Sequence, residues 1–404
     1  MRVSKIVARI CSPCLPVVHA FRWMAIAVVV ESIIQAGRLS LSAVGRATLG
    51  RGRPKHNIKR VDRLLGNAHL SGERWLFYEA ISAWLVGDTT RPVILLDWTK
   101  VTDNLHALVA AVPIGGRALP ICIEVHRERY LGNHRVHVRF LKALKAILPP
   151  GCQPIIVTDA GFQGPFFREV RRHGWHFLGR LRGSGKARFP SIATPVTREC
   201  LYEIATTTPR DLGECRLYTS SKSVEARLVL VRAKRRPGPR TQQPCRTDVA
   251  IYRDRGRDPW LLATSLTDTD LSAEQVVAAY ALRMKIEETF RDAKNHRFGW
   301  SLRHVRCYSS DRMANLLLLT TLAIIVVTLL GFEAERRHLH RGYQANTVKQ
   351  RVLSFFVLGL AVLRRGEHEP FLHRQSLADM LTTFCLQSQA VALQFGALRF
   401  VGIG

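Results

Sequence analysis

Acidic residues are scarce in this sequence. Only 31 aspartates and glutamates stand against 60 lysines and arginines, which leaves a formal net charge of +29. Such an excess predicts a polyanionic partner, and nucleic acid is the partner that it favours. A basic ribosomal protein or a protein of a membrane surface has the same charge balance. Composition therefore narrows the class of partner, and the motifs must identify it.

Cysteines are few and scattered. The nine cysteines are odd in number and too sparse for a disulfide scaffold, so they fit the reduced thiols of a cytoplasmic protein. Cys11 and Cys14 form a lone CxxC pair. A structural zinc site needs two further ligands at matching spacing, and the sequence offers none.

Two common catalytic motifs are missing. Gly183-Ser-Gly-Lys186 is reminiscent of a phosphate-binding loop, but Arg180 occupies the position of the first glycine and Ala187 that of the Ser or Thr. The chain also lacks a GxSxG nucleophile elbow. These absences argue against a P-loop nucleotidase and against a serine hydrolase.

Only one hydrophobic run, residues 313–332, is long enough to span a bilayer. It contains Asn315, Thr320, Thr321 and Thr328, and no second comparable run exists. We expect a helix buried in a large core and no membrane partner, with a membrane protein as the alternative.

The central part of the chain alternates strand and helix patterns. Strand-like runs at 92–99, 105–113 and 118–126 precede a helix at 134–147, a strand before Asp159, a helix at 164–173 and a strand at 175–181. This order predicts a layered α/β sheet. We expect three domains: a helical domain at 1–75, a core at 76–340 with a β-rich insertion at 183–258 and a basic loop at 234–246, and a helical region at 341–404 with a cap at Asn346-Thr347.

The N-terminal region carries a basic helix. Short helices are predicted at 42–48 and 54–65, and in the second Val61, Leu64 and Leu65 form an apolar face with Ile58. The rest of that helix is basic, and its candidate DNA-binding residues are Lys55, His56, Lys59, Arg60 and Arg63. This layout is typical of a helix-turn-helix, although a merely solvated basic helix would look the same.

Residues 280–299, YALRMKIEETFRDAKNHRFG, carry a row of polar groups. On one continuous helix, Tyr280, Arg283, Glu287 and Lys294 would fall within an arc of roughly 60°. The simple alternative is a surface ion pair between Arg283 and Glu287, worth about 0.3–0.5 kcal/mol.

Two aspartates suggest a function for the polar groups of residues 280–294. Asp97 and Asp159 each end an apolar strand run, where a carboxylate reaches the rim of a sheet. Together with Glu287 they can supply the hard oxygen ligands that Mg²⁺ prefers, and a pair of such ions supports phosphoryl transfer. Arg283 and Lys294 would then contact DNA phosphates, and Tyr280 a phosphate or sugar.

These residues resemble the signature of a known family. The spacing Y-x2-R-x3-E-x6-K, with DWT at Asp97 and TDAGF at Asp159, resembles the DDE transposases of bacterial insertion sequences, in the branch named for this Tyr-Arg-Glu-Lys signature. KHNIKRVDRLLGN and QANTVKQRVLS resemble the Tn10-type cut-and-paste members. The resemblance extends over residues 36–365.

The resemblance implies a fold and an activity. It implies a ribonuclease-H-like catalytic core with a β-rich insertion, flanked by helix-turn-helix-like and C-terminal helical regions. It implies Asp97, Asp159 and Glu287 as catalytic ligands of two Mg²⁺ ions, with Mn²⁺ as a substitute, and a homodimer acting on terminal inverted repeats and target DNA in the bacterial nucleoid. Trp260 matches the tryptophan that stacks on a flipped base, although core packing is its alternative role. A decayed transposase or another inactive DNA-binding protein remains the alternative function.

Overall fold

The computed structural model describes residues 4–50, 52–183, 186–218, 223–232, 258–295, 299–302 and 305–393. The basic loop predicted at 234–246 lies outside these residues. The chain divides into two compact units: Met1–Cys152 with Met284–Gly404 form the first unit, and Gln153–Arg283 form the second. The predicted division into three domains stays a prediction.

Helices and strands follow one another along the described parts of the chain. The helices are α1 (Ser4–Ile10), α2 (Ala20–Ala36), α3 (Leu41–Arg46), α4 (Pro54–Leu65), α5 (Ala68–Val86), α6 (His134–Ile147), α7 (Gly164–Arg172), α8 (Arg198–Glu203), α9 (Ala273–Ala281), α10 (Met284–Lys294), α11 (Ser310–Arg336), α12 (Phe355–Arg365) and α13 (Arg374–Leu393). The strands are β1 (Val93–Lys100), β2 (Leu105–Ile114), β3 (Arg117–Arg127), β4 (Ile155–Thr158), β5 (His176–Arg180), β6 (Lys186–Arg188), β7 (Val196–Thr197), β8 (Arg210–Leu217), β9 (Val224–Val231) and β10 (Trp260–Thr264). The predicted mixed α/β class is confirmed.

The first unit contains an antiparallel sheet in the order β3-β2-β1. The turn between β2 and β3 is made by Gly115 and Gly116, whose φ angles of 55° and 85° are left-handed values that favour glycine. The register pairs Asp97 with Val109. The three strands predicted between residues 92 and 126 are therefore confirmed, each within two residues of its expected ends.

Helix α11 forms the centre of the first unit. Every residue from Met313 to Ala334 is buried, and the helix packs against β3 and the helices α2, α5 and α12. It is long and apolar enough to cross a membrane, yet its most apolar stretch is entirely buried inside the protein. A helix that is hydrophobic on all sides is expected in a core, and the prediction of a buried helix is confirmed.

The second unit contains a sheet in the order β4-β5-β10-β9-β8-β6-β7. Strands β4 and β5 are parallel and joined by α7, whereas β10 runs antiparallel to β5 and to β9. In the described residues of the predicted insertion, β6 to β9 continue this sheet beyond β10 and only the short α8 is helical. These described residues are rich in strand, as composition predicts, and that they form an insertion stays a prediction.

Two local predictions are wrong. The single helix expected from residue 280 onward is two helices, because the backbone N–H groups of Leu282 and Arg283 bond to carbonyls three residues back and the regular four-residue ladder stops. The cap expected at Asn346-Thr347 is also wrong. Ser354 caps α12, since its hydroxyl accepts from the N–H of Val357 at 3.2 Å.

Candidate functional site

Asp97 lies on the face of β1 that α10 covers. Only 9% of its surface is exposed, and Thr99, two residues later, is equally buried. The intervening Trp98 points to the opposite face, where its indole N–H donates to Nε2 of His137 on α6 at 3.0 Å. Because side chains alternate along a strand, Asp97 and Thr99 share one face.

The side chain of Lys294 joins α10 to that face of β1. Its ammonium group donates a hydrogen bond to Oγ1 of Thr99. Glu287 lies in the first turn of α10, where the helix dipole favours a carboxylate, and it is exposed. Glu287 and Lys294 are seven residues apart, so they lie on the same side of the helix. Asp97 and Glu287 therefore belong to the two surfaces that the Lys294–Thr99 hydrogen bond connects.

Further polar contacts fix α10 on the sheet of the first unit. Arg117 on β3 donates to Asp292 at 2.7 Å and to Glu288 at 3.2 Å. The N–H of Ala118 donates to the hydroxyl of Thr289 at 2.9 Å. Burial raises the pKa of Asp292, and the nearby Arg117 opposes that rise. These contacts hold the helix that carries Glu287 in one orientation.

Asp159 follows directly after β4 in the second unit. Its Oδ1 accepts the backbone N–H of Gly161 at 2.8 Å, which fixes the carboxylate in a tight turn. In the parallel pair of β4 and β5, Thr158 is paired with Gly179. The next residues along the two strands, Asp159 and Arg180, therefore lie at the same edge of the sheet.

An aromatic and cationic cluster lies beside Asp159 in the second unit. The rings of Trp260 and Tyr280 meet edge to face, with centroids 5.0 Å apart and an interplanar angle of 72°. Tyr280 is only 4% exposed, and burial raises its pKa. Arg283 and Arg180 oppose this rise, and Asp159 adds to it. The second unit thus brings together four of the predicted site residues.

Arg180 is a member of this cluster that sequence reasoning missed. It is 9% exposed, and its guanidinium donates to the carbonyl oxygens of Asp258 at 3.1 Å and Pro259 at 3.4 Å. Burial lowers its pKa, with Arg182 adding to that effect. One sequence feature could have identified Arg180 as a site residue. It stands near the end of the apolar strand WHFLGRL, where an unpaired buried charge would be costly.

Helix α4 presents the basic face that the sequence predicts. All five predicted DNA-binding residues of this helix are exposed: Lys55, His56, Lys59, Arg60 and Arg63. Val61, Leu64 and Leu65 are buried. Helix α3 packs closely on α4, because a Cβ atom on Gly45 would lie 2.5 Å from Cγ1 of Ile58. The two helices form a compact pair with an open basic surface.

The predicted metal ligands are divided between the units. Asp97 and Glu287 belong to the first unit and Asp159 to the second. Within the described ranges, no group of three or more His, Cys, Asp and Glu side chains is placed to hold a metal ion. The donor set fits Mg²⁺ by its chemistry, since all three side chains are carboxylates. That they share metal ions stays a prediction.

The chain matches one known family over most of this region. Residues 89–326 match the family described as Transposase DDE domain, and the matched range contains Asp97, Asp159 and Glu287. Because the match covers more than half of the sequence, the chain belongs to this family of DDE transposases. Membership implies a DNA-binding enzyme of a class that generally uses divalent metal ions to cut DNA. No curated protein matches the chain.

Proposed function

We propose that this transposase moves an insertion sequence by the cut-and-paste route of the Tn10-type branch. The observation that carries the proposal is the arrangement on α10, where Glu287 and Lys294 share one side and Lys294 bonds to the face of β1 that holds Asp97. Tyr280 and Arg283 complete the Tyr-Arg-Glu-Lys signature. Their position beside Asp159 supports a role in the same reaction.

We assign the core to the ribonuclease-H-like class. Three antiparallel strands, β1 to β3, are followed along the chain by α6, β4, α7 and the parallel strand β5. This is the chain order of that class, and the β-rich insertion lies between Asp159 and Glu287 as in the family branch. The order of the elements along the chain therefore supports the ribonuclease-H-like assignment.

Asp97, Asp159 and Glu287 are the residues that would hold two Mg²⁺ ions, or Mn²⁺ in their place. Divalent ions bound to such carboxylates favour a deprotonated attacking oxygen and neutralise charge on the leaving oxygen. Arg117 contributes indirectly, because its contacts with Asp292 and Glu288 hold the helix that carries Glu287. The carboxylates themselves supply the negative charge that any such ion requires.

The proposed reaction breaks one phosphodiester bond at a time. Water attacks a phosphate at the element end and releases a 3′-hydroxyl. This hydroxyl attacks a phosphate of the opposite strand, which closes a hairpin and expels the 3′-hydroxyl of the flanking DNA. A second water opens the hairpin and regenerates the 3′-hydroxyl of the element, which then attacks a target phosphate and expels the 3′-hydroxyl of the target strand. Arg283, Lys294 and Tyr280 would hold the phosphates, and Trp260 would stack on a base flipped out of the duplex.

The N-terminal helices would bind the terminal inverted repeats. The exposed basic face of α4, packed on α3, fits a groove of duplex DNA. Pairing of two element ends requires two copies of the chain, so a homodimer is the proposed assembly in the DNA complex. The bacterial cytoplasm, with its nucleoid DNA, is the proposed location.

Cleavage of DNA that carries the element's ends tests this function. The wild-type chain should cut such DNA in Mg²⁺, and Asp97→Ala and Glu287→Gln should each lose at least about 100-fold of the rate. Glu79→Gln is the control, since Glu79 is an exposed carboxylate on α5 outside the site, and it should keep the wild-type rate. Full activity in Asp97→Ala or Glu287→Gln would refute the assignment.

An inactive DNA-binding protein is the second candidate. It is favoured by one observation: the exposed basic face of α4 can bind DNA whether or not the three carboxylates hold metal ions. This candidate predicts salt-sensitive DNA binding without cleavage in Mg²⁺ or Mn²⁺. The same cleavage assay on the wild-type chain separates the two.

A further inference from the structure

A cavity of about 690 Å³ lies in the second unit, on the face of the sheet that carries α7. Trp260 on β10 points to the opposite face, where it meets Tyr280 of α9. The next residue, Leu261, lines the cavity. Because neighbouring side chains of a strand point to opposite faces, Trp260 does not itself line the cavity. Arg182 of the cavity wall lies near Arg180 of the Trp260 cluster.

The polar lining of this cavity is cationic. Arg168 of α7, Arg182, Lys186 and Arg198 line it, and the described lining residues include no carboxylate. Glu199 contacts Arg198 at 2.7 Å from outside the lining and offsets part of its charge. A concave site with this charge concentrates an anionic ligand.

Much of the remaining wall is apolar. Leu201, Leu217 and the ring of Tyr218 contribute to it. Tyr218 has a φ angle of 64°, an unusual left-handed value for a tyrosine. Its ring lies so close to α7 that a Cβ atom on Gly164 would be 2.6 Å from it. A flat apolar group can therefore pack against this wall while anionic groups contact the cations.

The positive lining continues beyond this cavity. A second cavity of about 1240 Å³ also has Arg168 in its wall, together with Arg171, Arg188 and Arg216. Glu214 and Glu225 lie in that wall too, and Glu225 pairs with Arg216 at 3.3 Å. The two cavities thus share Arg168, and the wall of the second also has more cations than carboxylates.

We propose that the smaller cavity binds single-stranded DNA, with one base inside it and the neighbouring phosphates on Arg182, Lys186 and Arg198. Unstacked bases and a basic groove are the features by which proteins hold single strands. An undistorted duplex does not supply this ligand, because its bases are stacked inside the helix. The proposal does not depend on Asp97, Asp159 and Glu287 sharing metal ions.

Fluorescence anisotropy with the full chain in EDTA tests the proposal apart from catalysis. The probes are a labelled oligothymidine of about 12 nucleotides and a duplex of the same length. Arg182→Ala/Lys186→Ala should weaken binding of the single strand about tenfold and lower its salt slope by about 1.4, with the duplex affected less than about threefold. Lys142→Ala/Lys145→Ala on α6 removes the same charge from an exposed surface and should affect both probes equally.

A second variant separates the cavity from surface charge. Val196 is half-buried in the cavity wall, and Val196→Trp fills the space without changing any charge. It should reduce single-strand binding at least about fivefold, while circular dichroism shows an unchanged fold. Equal loss on single strand and duplex, or no loss in either variant, would overturn the proposal. Competition by free thymidine monophosphate as strong as by the oligonucleotide would overturn it as well, because the site would then bind free nucleotides.

Discussion

Lys294 on α10 donates a hydrogen bond to Oγ1 of Thr99 on β1, and this contact joins the helix of Glu287 to the strand of Asp97. A lysine predicted to contact DNA is thus engaged within the protein. DNA binding would require the ammonium group to exchange a hydroxyl for a phosphate, which is a stronger, charge-assisted partner.

This exchange gives a first prediction. Lys294→Met should weaken binding of DNA ends about tenfold and lower the salt slope by about 0.9, because one phosphate contact is lost. Thr99→Val removes the internal partner and keeps the cation, so it should change affinity less than about threefold. Equal losses in the two variants would show that the hydrogen bond, rather than a phosphate contact, is the role of Lys294.

A second prediction concerns Trp260, whose ring meets Tyr280 edge to face. Trp260→Ala should leave nicking within about threefold of wild type and reduce hairpin formation at least about tenfold, because a flipped base loses its stacking surface. Gel analysis of nicked and hairpin products measures both steps. Trp260→Phe keeps an aromatic face and should restore most of the hairpin yield. A normal hairpin yield in Trp260→Ala would leave Trp260 with a packing role.

A third prediction concerns the exposed basic face of α4. Lys59→Ala/Arg60→Ala should weaken binding to the terminal repeats and reduce the salt slope by about 1.8, as expected for two lost phosphate contacts. The control Lys142→Ala/Lys145→Ala removes two exposed cations from α6 instead. If both double variants lose the same affinity, α4 has no special part in end recognition.

A fourth prediction concerns stability at the crossing of α11 and α12. A Cβ atom on Gly359 would lie 1.9 Å from the carbonyl oxygen of Val327, so the two backbones touch. Gly359→Ala should destabilise the protein by about 3 kcal/mol, because the helices must move apart. Gly72 on α5 has open space around it, and Gly72→Ala should stabilise the protein by about 0.5–1 kcal/mol. Urea unfolding measures both, and a neutral Gly359→Ala would contradict the close crossing.

A fifth prediction concerns pH and His137, which accepts the indole N–H of Trp98. Burial, with His134 and His126 adding to it, lowers the pKa of His137 from 6.5 to about 4. The folded state therefore disfavours the protonated ring. The stability that this depressed pKa implies is fully present above pH 6.5 and is lost as the pH falls towards 4.

Unfolding experiments at two pH values check this. Lowering the pH from 8 to 5 should reduce the free energy of unfolding by about 2 kcal/mol through His137 alone. His137→Gln keeps a neutral acceptor for Trp98 and does not titrate, so its stability should fall less over the same interval. A pH dependence identical to that of wild type would show that His137 is not responsible.

Much of the local structure follows from the sequence. The strand that carries Asp97 and the strand that precedes Asp159 are found where apolar runs predict them, because such runs must be buried and a sheet satisfies their backbone groups. The expectation that Asp97 ends its strand is wrong, since β1 continues to Lys100 and Asp97 is buried within it. Helix α4 spans the predicted residues 54–65, since Pro54 favours the first turn and apolar residues recur at helical spacing. The apolar run at 313–332 is buried as composition indicates.

The arrangement of the site depended on contacts that no local pattern contains. Two bonds to carbonyls three residues back end α9, so the row of Tyr280, Arg283, Glu287 and Lys294 does not lie on one helix. Arg180 was missed because its environment is made by residues 258–280, far along the chain.

The sequence by itself determined the excess of positive charge, the basic helix α4 and the spacing of Tyr280, Arg283, Glu287 and Lys294. Charge, spacing and apolar periodicity act within a few residues, so they can be read from the chain directly. Only the tertiary structure decided that Lys294 bonds to Thr99, that Tyr280 is buried under Trp260, and that a cationic cavity lies on the α7 face. The physical reason is that each of these depends on the packing of elements far apart in sequence, whose burial and register are set by the whole core.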